Sequence, residues 1–214
     1  MTTRAKKAAA PKRRTYHHGD LRQALVDATL KLIATEDVGA VSLREVARRA
    51  GVTAAAPYHH FRDKDALLAA VAEEGYRALN ARMDEAMTKA RSPRLDTQLK
   101  ALARCYVRFA VEHPAHYRVM FRQEWSDEEK YAGIHTEGMR AYARLQELAQ
   151  EARVASGGKV DMDILAFTIW SWVHGLASLW NEGPLRKKSQ SDSIEPLLER
   201  SSEMFVGWVV GKAP

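Results

Sequence analysis

Cysteine is almost absent: Cys105 stands alone among 214 residues. That excludes an internal disulfide and any metal cluster built from cysteine alone, and it fits a reducing compartment. Long apolar runs are missing as well. Nothing approaches the roughly 18 consecutive apolar residues of a membrane span. The basic N-terminal stretch runs into Tyr16-His17-His18-Gly19-Asp20 instead of a signal-peptide apolar core. Neither export nor membrane insertion is expected, and the cytoplasm is the expected location. Acids are scarce where bases crowd, because Arg4, Lys6, Lys7, Lys12, Arg13, Arg14 and Arg22 share their stretch with Asp20 alone. Over the whole chain 33 Lys and Arg exceed 27 Asp and Glu, a net charge of +6, and the uneven placement points to a polyanionic partner. There is no nucleophile elbow, glycine-rich phosphate loop, zinc-binding helix motif or clustered acid pair, so catalysis is not expected.

Strand patterns and 20 to 50 residue repeats are missing too, and helical periodicity takes their place. Residues 1–15 read as a basic disordered arm around Pro11. Asp20 can cap a first helix whose apolar positions are Leu21, Leu25, Ala28 and Leu32. Ser42-Leu43-Arg44-Glu45 has the form of a capping box, opening a short helix that closes at Gly51. Thr53 can cap a third helix and Asp63 a fourth, long one through Leu67, Leu68, Val71, Tyr76, Leu79 and Met83. Further helices are predicted over about 94–112, 117–123, 127–154, 161–181 and 194–210, with a polar loop after Gly183-Pro184. About nine helices and no sheet give an all-α fold. A small unit over 16–68 is expected on a larger bundle over 69–214.

The stretch from Ser42 to Phe61 carries the most information. Ala47 stands four residues before Gly51, so a small residue allows close helix crossing and glycine supplies the positive φ of a sharp turn. The second helix would then project outward, as helix-turn-helix proteins place it in the DNA major groove. That spacing alone is weak. The continuation Val52-Thr53-Ala54-Ala55-Ala56-Pro57-Tyr58-His59-His60-Phe61-Arg62-Asp63-Lys64 resembles the signature of the TetR family of regulators, and the similarity reaches back to Tyr16. Pro57 departs from the commoner leucine, which bears on where the helix starts. The resemblance implies that Thr53, Tyr58, His60 and Lys64 contact phosphates, with Ser42 and Arg44 reaching the backbone from the preceding helix. Hydroxyls, a phenol and an ammonium suit that task. Base reading would fall to Ala54, Ala55 and His59. The paired histidines His17-His18 and His59-His60 lack an ordered ligand cage, so no metal and no cofactor is expected.

Trp170-Ser171-Trp172-Val173-His174-Gly175-Leu176 is similar to the Trp-His-Gly signature of one C-terminal class of that family, and His113-Pro114-Ala115-His116-Tyr117-Arg118-Val119-Met120-Phe121 has the same flavour. The helix over 161–181 is apolar on more than one side, which predicts burial on several faces. Tyr106, Phe109, Met120, Phe121, Trp125, Met139 and Trp170 read either as core or as the lining of an adaptable apolar pocket. His174 reads either as a hydrogen-bonded core histidine or as a ligand contact. The family resemblance implies a regulator, commonly a repressor, of a palindromic operator on double-stranded DNA, released by a small apolar effector. A homodimer through the last two long helices would use the small strip Ser171-Gly175-Ser178 and side chains such as Leu197, Leu198, Phe205 or Trp208. The rival class is a non-specific DNA-binding structural protein.

Overall fold

The computed structural model describes residues 18–209 apart from 93, 156 and 160. The expected basic arm therefore lies outside the described residues. Among those residues the chain forms nine α-helices and no strand. They are α1 (His18–Thr35), α2 (Leu43–Ala50), α3 (Lys64–Ala90), α4 (Leu95–Glu112), α5 (Pro114–Met120), α6 (Ala132–Ala155), α7 (Met162–Asn181), α8 (Pro184–Ser189) and α9 (Glu195–Val209). Single 3-10 turns lie at Val38–Ala40, Ala56–His59 and Gln123–Ser126.

The helix starts follow local hydrogen bonding. Ser42 accepts from the Glu45 amide at 3.2 Å and Asp63 from the Ala66 amide at 2.7 Å, so both caps fall where the sequence puts them. Asp161 caps α7 in the same way, through the Ile164 amide at 3.0 Å. Gly51 ends α2 at φ 71°, in the left-handed region, and its amide reaches back to the Arg48 carbonyl at 3.2 Å.

Three expectations need correction. The third helix does not start at Thr53, because proline at 57 cannot donate to the Thr53 carbonyl. The chain makes turns through 54 and 55 and then a 3-10 helix over Ala56–His59. The loop expected after Gly183-Pro184 is the short helix α8, with Pro184 in its first turn, where the missing N–H costs nothing. α1 begins at His18, two residues ahead of Asp20.

Two apolar cores organise the helices. One lies beneath α1–α3 and gathers Leu25, Val26, Leu32, Ile33, Val46, Phe61, Leu67, Leu68 and Val71. It also takes in Ala115, Val119, Trp125, Tyr131 and Ile134 from the chain between α5 and the start of α6. The second fills the bundle of α3, α4, α6, α7 and α9 with residues such as Leu79, Leu102, Phe109, Leu148, Ile169 and Leu198. α3 runs through both. Its Gly75 meets α5 so closely that an added Cβ would sit 2.8 Å from the Met120 sulfur and 3.1 Å from the His116 Cβ.

Gly75→Val is therefore expected to lower the unfolding free energy by about 1–3 kcal/mol through overpacking. Gly51→Ala should lower it by about 1–2 kcal/mol through left-handed strain. Urea titration followed by circular dichroism measures both, and unchanged midpoints would overturn the packing and turn assignments.

Candidate nucleic-acid interface and ligand cavity

The helix-turn-helix is held from inside by apolar contacts and from outside by ion pairs. Glu45 accepts from Arg48 Nε at 2.8 Å and from Arg49 Nε at 2.9 Å, and the two guanidinium groups hold its carboxyl down at about 2. Arg49 also pairs with Glu36 at the end of α1. Pro57 is buried and Phe61 is 3% exposed, so the 3-10 turn is anchored on both sides. What remains outside is the tract singled out in the sequence. Ser42, Arg44, Thr53, Ala54, Ala55, Tyr58 and His59 are all exposed, Tyr58 by 54%, and His60 and Lys64 are half-buried.

Two of these side chains have structural duties as well. The Ser42 hydroxyl is the α2 cap, and its O–H remains able to donate. Lys64 Nζ donates to the Val38 carbonyl at 3.0 Å and the Gly39 carbonyl at 3.3 Å, tying the start of α3 to the turn between α1 and α2. An ammonium has three N–H groups, so one is left over. Arg44 has no ion pair among the described residues.

The second feature is a cavity of about 820 Å³ between α3, α4, α6, α7 and the segment after α5. Of the side chains singled out in the sequence, Tyr106, Met120, Phe121, Trp125, Met139, Trp170 and His174 line it. Phe109 does not. It is 1% exposed in the bundle core, under the Arg82 guanidinium at 5.8 Å and beside the His113 ring at 5.0 Å. Residues missed by the sequence reading include Tyr142, Phe167, Arg122 and His135. Tyr142 and Phe167 stack at 5.9 Å and 25°. Their four-residue and three-residue spacing to Gly138 and Trp170 was a helical signal that could have found them.

Within the lining, His174 is the best-connected polar group. Its Nδ1 lies 2.8 Å from the Tyr106 hydroxyl and 2.9 Å from the Tyr117 hydroxyl. Tyr117 also reaches Ser178 Oγ at 3.1 Å and the His174 carbonyl at 3.3 Å. Burial depresses the His174 pKa, and burial with the nearby Arg82 depresses that of His113, whose Nε2 is enclosed without a partner. A neutral His174 that receives a phenolic O–H at Nδ1 carries its own proton on Nε2.

The family-model comparison bears directly on both features. Residues 25–71 match the model described as "Bacterial regulatory proteins, tetR family", and residues 99–205 match "Tetracyclin repressor-like, C-terminal domain". The chain belongs to the TetR family. It is a DNA-binding transcriptional regulator with a helix-turn-helix head, and the C-terminal match covers both the Trp170–Leu176 and the His113–Phe121 stretches.

Individual relatives agree. The HTH-type transcriptional regulator BetI of Rhizobium meliloti (strain 1021) is 35% identical over 111 residues, 50% of this chain and 54% of BetI. The HTH-type transcriptional regulator AcrR of Shigella flexneri is 41% identical over 54 residues, 25% of each chain. The matched segment thus spans about half of BetI's length and a quarter of AcrR's. Among solved structures, a protein of unknown function from Rhodococcus sp. RHA1 superposes with a TM-score of 0.75 and 30% identity, over 90% of this chain and 97% of that one. FadR from Bacillus subtilis, solved with stearoyl-CoA, shares the fold at a TM-score of 0.68 and 16% identity, over 90% of this chain and 99% of that one.

The depressed histidines make a pH prediction for the regulator. The unfolded chain binds their protons near 6.5, whereas the folded chain binds them only at lower pH. Their contribution is thus complete above pH 6.5 and is lost as pH falls through the folded values. Glu45, with its lowered carboxyl pKa, contributes in the same sense only below about 4.5. Between pH 7 and pH 5 the thermal midpoint should fall, and the double variant His113→Gln, His174→Gln should flatten that slope. An equally steep slope in the double variant would show that other groups titrate there.

Proposed function

We propose that this protein is a ligand-responsive repressor of the cytoplasm. Two copies hold a near-palindromic operator, and a small, largely apolar molecule in the cavity releases it. One observation carries the reading: Trp125 and Ile134 belong both to the cavity lining and to the apolar core beneath the DNA-reading helices. Anything that fills the cavity presses on the packing that positions the head. A cavity of about 820 Å³ is the size that takes a drug-sized ligand.

On DNA, Ser42, Arg44, Thr53, Tyr58, His60 and the remaining N–H of Lys64 take phosphates, and Ala54, Ala55 and His59 face base edges. Of these residues His60 and Lys64 are half-buried and the others are exposed. One such head reads few bases, so two must act together about 34–36 Å apart along the duplex.

The pairing surface is the outer side of α7 and α9. α7 was expected to be buried on several faces, yet Ile164 is 64% exposed, Phe167 51% and Leu179 48%, and on α9 Met204 and Trp208 are 66% and 62% exposed. So much large apolar surface on two adjacent helices calls for a partner. An added Cβ at Gly175 would meet nothing within 4 Å, so the small strip is open there. Leu198, expected at the interface, is instead 1% exposed in the bundle core, where its residue spacing on α9 turns it toward α4. Ser178 likewise faces inward, toward Tyr117.

Operator selection from random duplexes, followed by competition against random DNA at fixed salt, tests the reading. A regulator should favour its site by about 10³-fold or more, whereas a ratio near one would favour the non-specific structural class. Arg44→Ala should lower the salt slope of binding by about one for every sequence, and His59→Ala should change base preference. Leu179→Asp with Trp208→Asp should yield monomers in sedimentation and abolish operator binding. Monomers that bind the operator normally would defeat the paired-head reading.

A further inference from the structure

The cavity lining is chemically one-sided. Its residues include one formally charged side chain, Arg122, and no aspartate or glutamate. Arg122 keeps one guanidinium nitrogen on Glu124, which does not line the cavity, while its Nε is enclosed without any partner. Gln123 and Ser126 follow it on the same wall. A further N–H donor on the lining is His174, whose Nδ1 is occupied by tyrosine hydroxyls and whose Nε2 has no hydrogen-bond partner among the described residues. Arg122 follows Phe121 in the chain, and the Phe121 ring lies 4.7 Å from the His174 ring, edge-on at 79°. Arg122 and His174 are thus two N–H donors on a lining whose greater part is apolar and aromatic.

We propose that the effector is an organic monocarboxylate: an apolar body filling the space between Tyr106, Met120, Tyr142 and Trp170, with its carboxylate received by Arg122. This rests on reading the cavity as an effector site. The complementarity is electrostatic. A carboxylate offers only acceptors to a wall that offers donors, and a charge-assisted bond to a guanidinium is stronger than a neutral one. A cationic amphiphile would find aromatic faces but no free carboxylate on the lining, because Glu124 is engaged by Arg122. A neutral alcohol of equal length would gain the apolar burial and lose the ion pair.

Three probes of one chain length separate these cases: decanoate, decan-1-ol and decyltrimethylammonium, each titrated calorimetrically below its micelle concentration into the full-length protein. Tryptophan emission gives a second readout, because Trp125 and Trp170 line the cavity. Decanoate should bind about tenfold tighter than decan-1-ol, the worth of one charged hydrogen bond, and the ammonium compound should be weakest. Arg122→Gln should erase the preference for decanoate while decan-1-ol still binds, which also shows that the variant is folded.

Absence of decanoate binding, equal affinity for decanoate and decan-1-ol, or an Arg122→Gln variant that retains the preference would each overturn the assignment. Operator release is measured separately with the same probes. Release by decan-1-ol without any decanoate preference would overturn the carboxylate and leave the regulator standing. Decanoate binding that spares operator affinity would do the reverse.

Discussion

The packing of α5 and the turn after it into the core beneath α1–α3 is the constraint on which the rest of the molecule depends. Trp125 shows how firmly it is fixed. Its indole N–H donates to the Val119 carbonyl at 2.6 Å, its own carbonyl lies 2.5 Å from His135 Nε2, and its ring meets Tyr131 edge-on at 4.9 Å. Arg118 adds a donor to the Ile33 carbonyl near the end of α1, at 3.2 Å. A side chain with every polar group satisfied and 5% exposed cannot swing aside alone. Because interiors are close-packed and compress little, a push from the cavity side must be taken up by the head.

α3 supplies the other half of that connection. Its first turn is capped by Asp63 and tied to the head by Lys64, its middle is clamped against α5 at Gly75, and beyond that point Leu79 and Met83 enter the bundle core and line the cavity. One uninterrupted 27-residue helix has no hinge in which to lose a displacement. The polar contacts along it point the same way. Tyr76 donates to the Met120 carbonyl at 3.2 Å and Asn80 to the Glu137 carbonyl at 3.0 Å, so α3, α5 and α6 move as neighbours or not at all.

Local signals made much of this legible in advance. Ser42, Gly51 and Asp63 act through backbone groups within a few residues, so their roles as caps and turn follow from composition and spacing. The cavity aromatics were readable as a set, because an apolar residue type facing inward lines a cavity whenever one exists. What the sequence could not assign was which side of a buried helix each residue faces. Phe109 and Tyr106 are three residues apart on α4, and only the crossing angles of α3 and α7 decide that one meets the core and the other the cavity. Leu198 and Trp208 pose the same problem on α9. Pro57 was legible as a departure, but its outcome, a 3-10 turn in place of an α-helical start, depended on the buried seat that the ring finds. Arg122 fell inside the helix expected over 117–123, whereas α5 ends at Met120 and leaves it in the segment that follows.

α7 joins these arguments, because apolar residues occupy both its faces. Length and composition would let it cross a membrane, yet Leu165, Ala166, Ile169, Val173, Ala177 and Trp180 are buried in the bundle. Inward polar contacts fix its rotation: Tyr117 holds Ser178 and His174, and the Asn181 amide donates to the Ala110 carbonyl at 2.8 Å. With the rotation fixed, the outward residues are determined too: Ile164 and Leu179 are left in solvent, and the half-exposed Phe167 also lines the cavity. Trp170 sits at the boundary, 37% exposed and also part of the cavity wall. The contents of the cavity and whatever covers the outer face therefore act on the same helix. On the reading proposed above, a coupling of about 1–3 kcal/mol between the two through α7 is enough to move binding by roughly 5 to 150-fold.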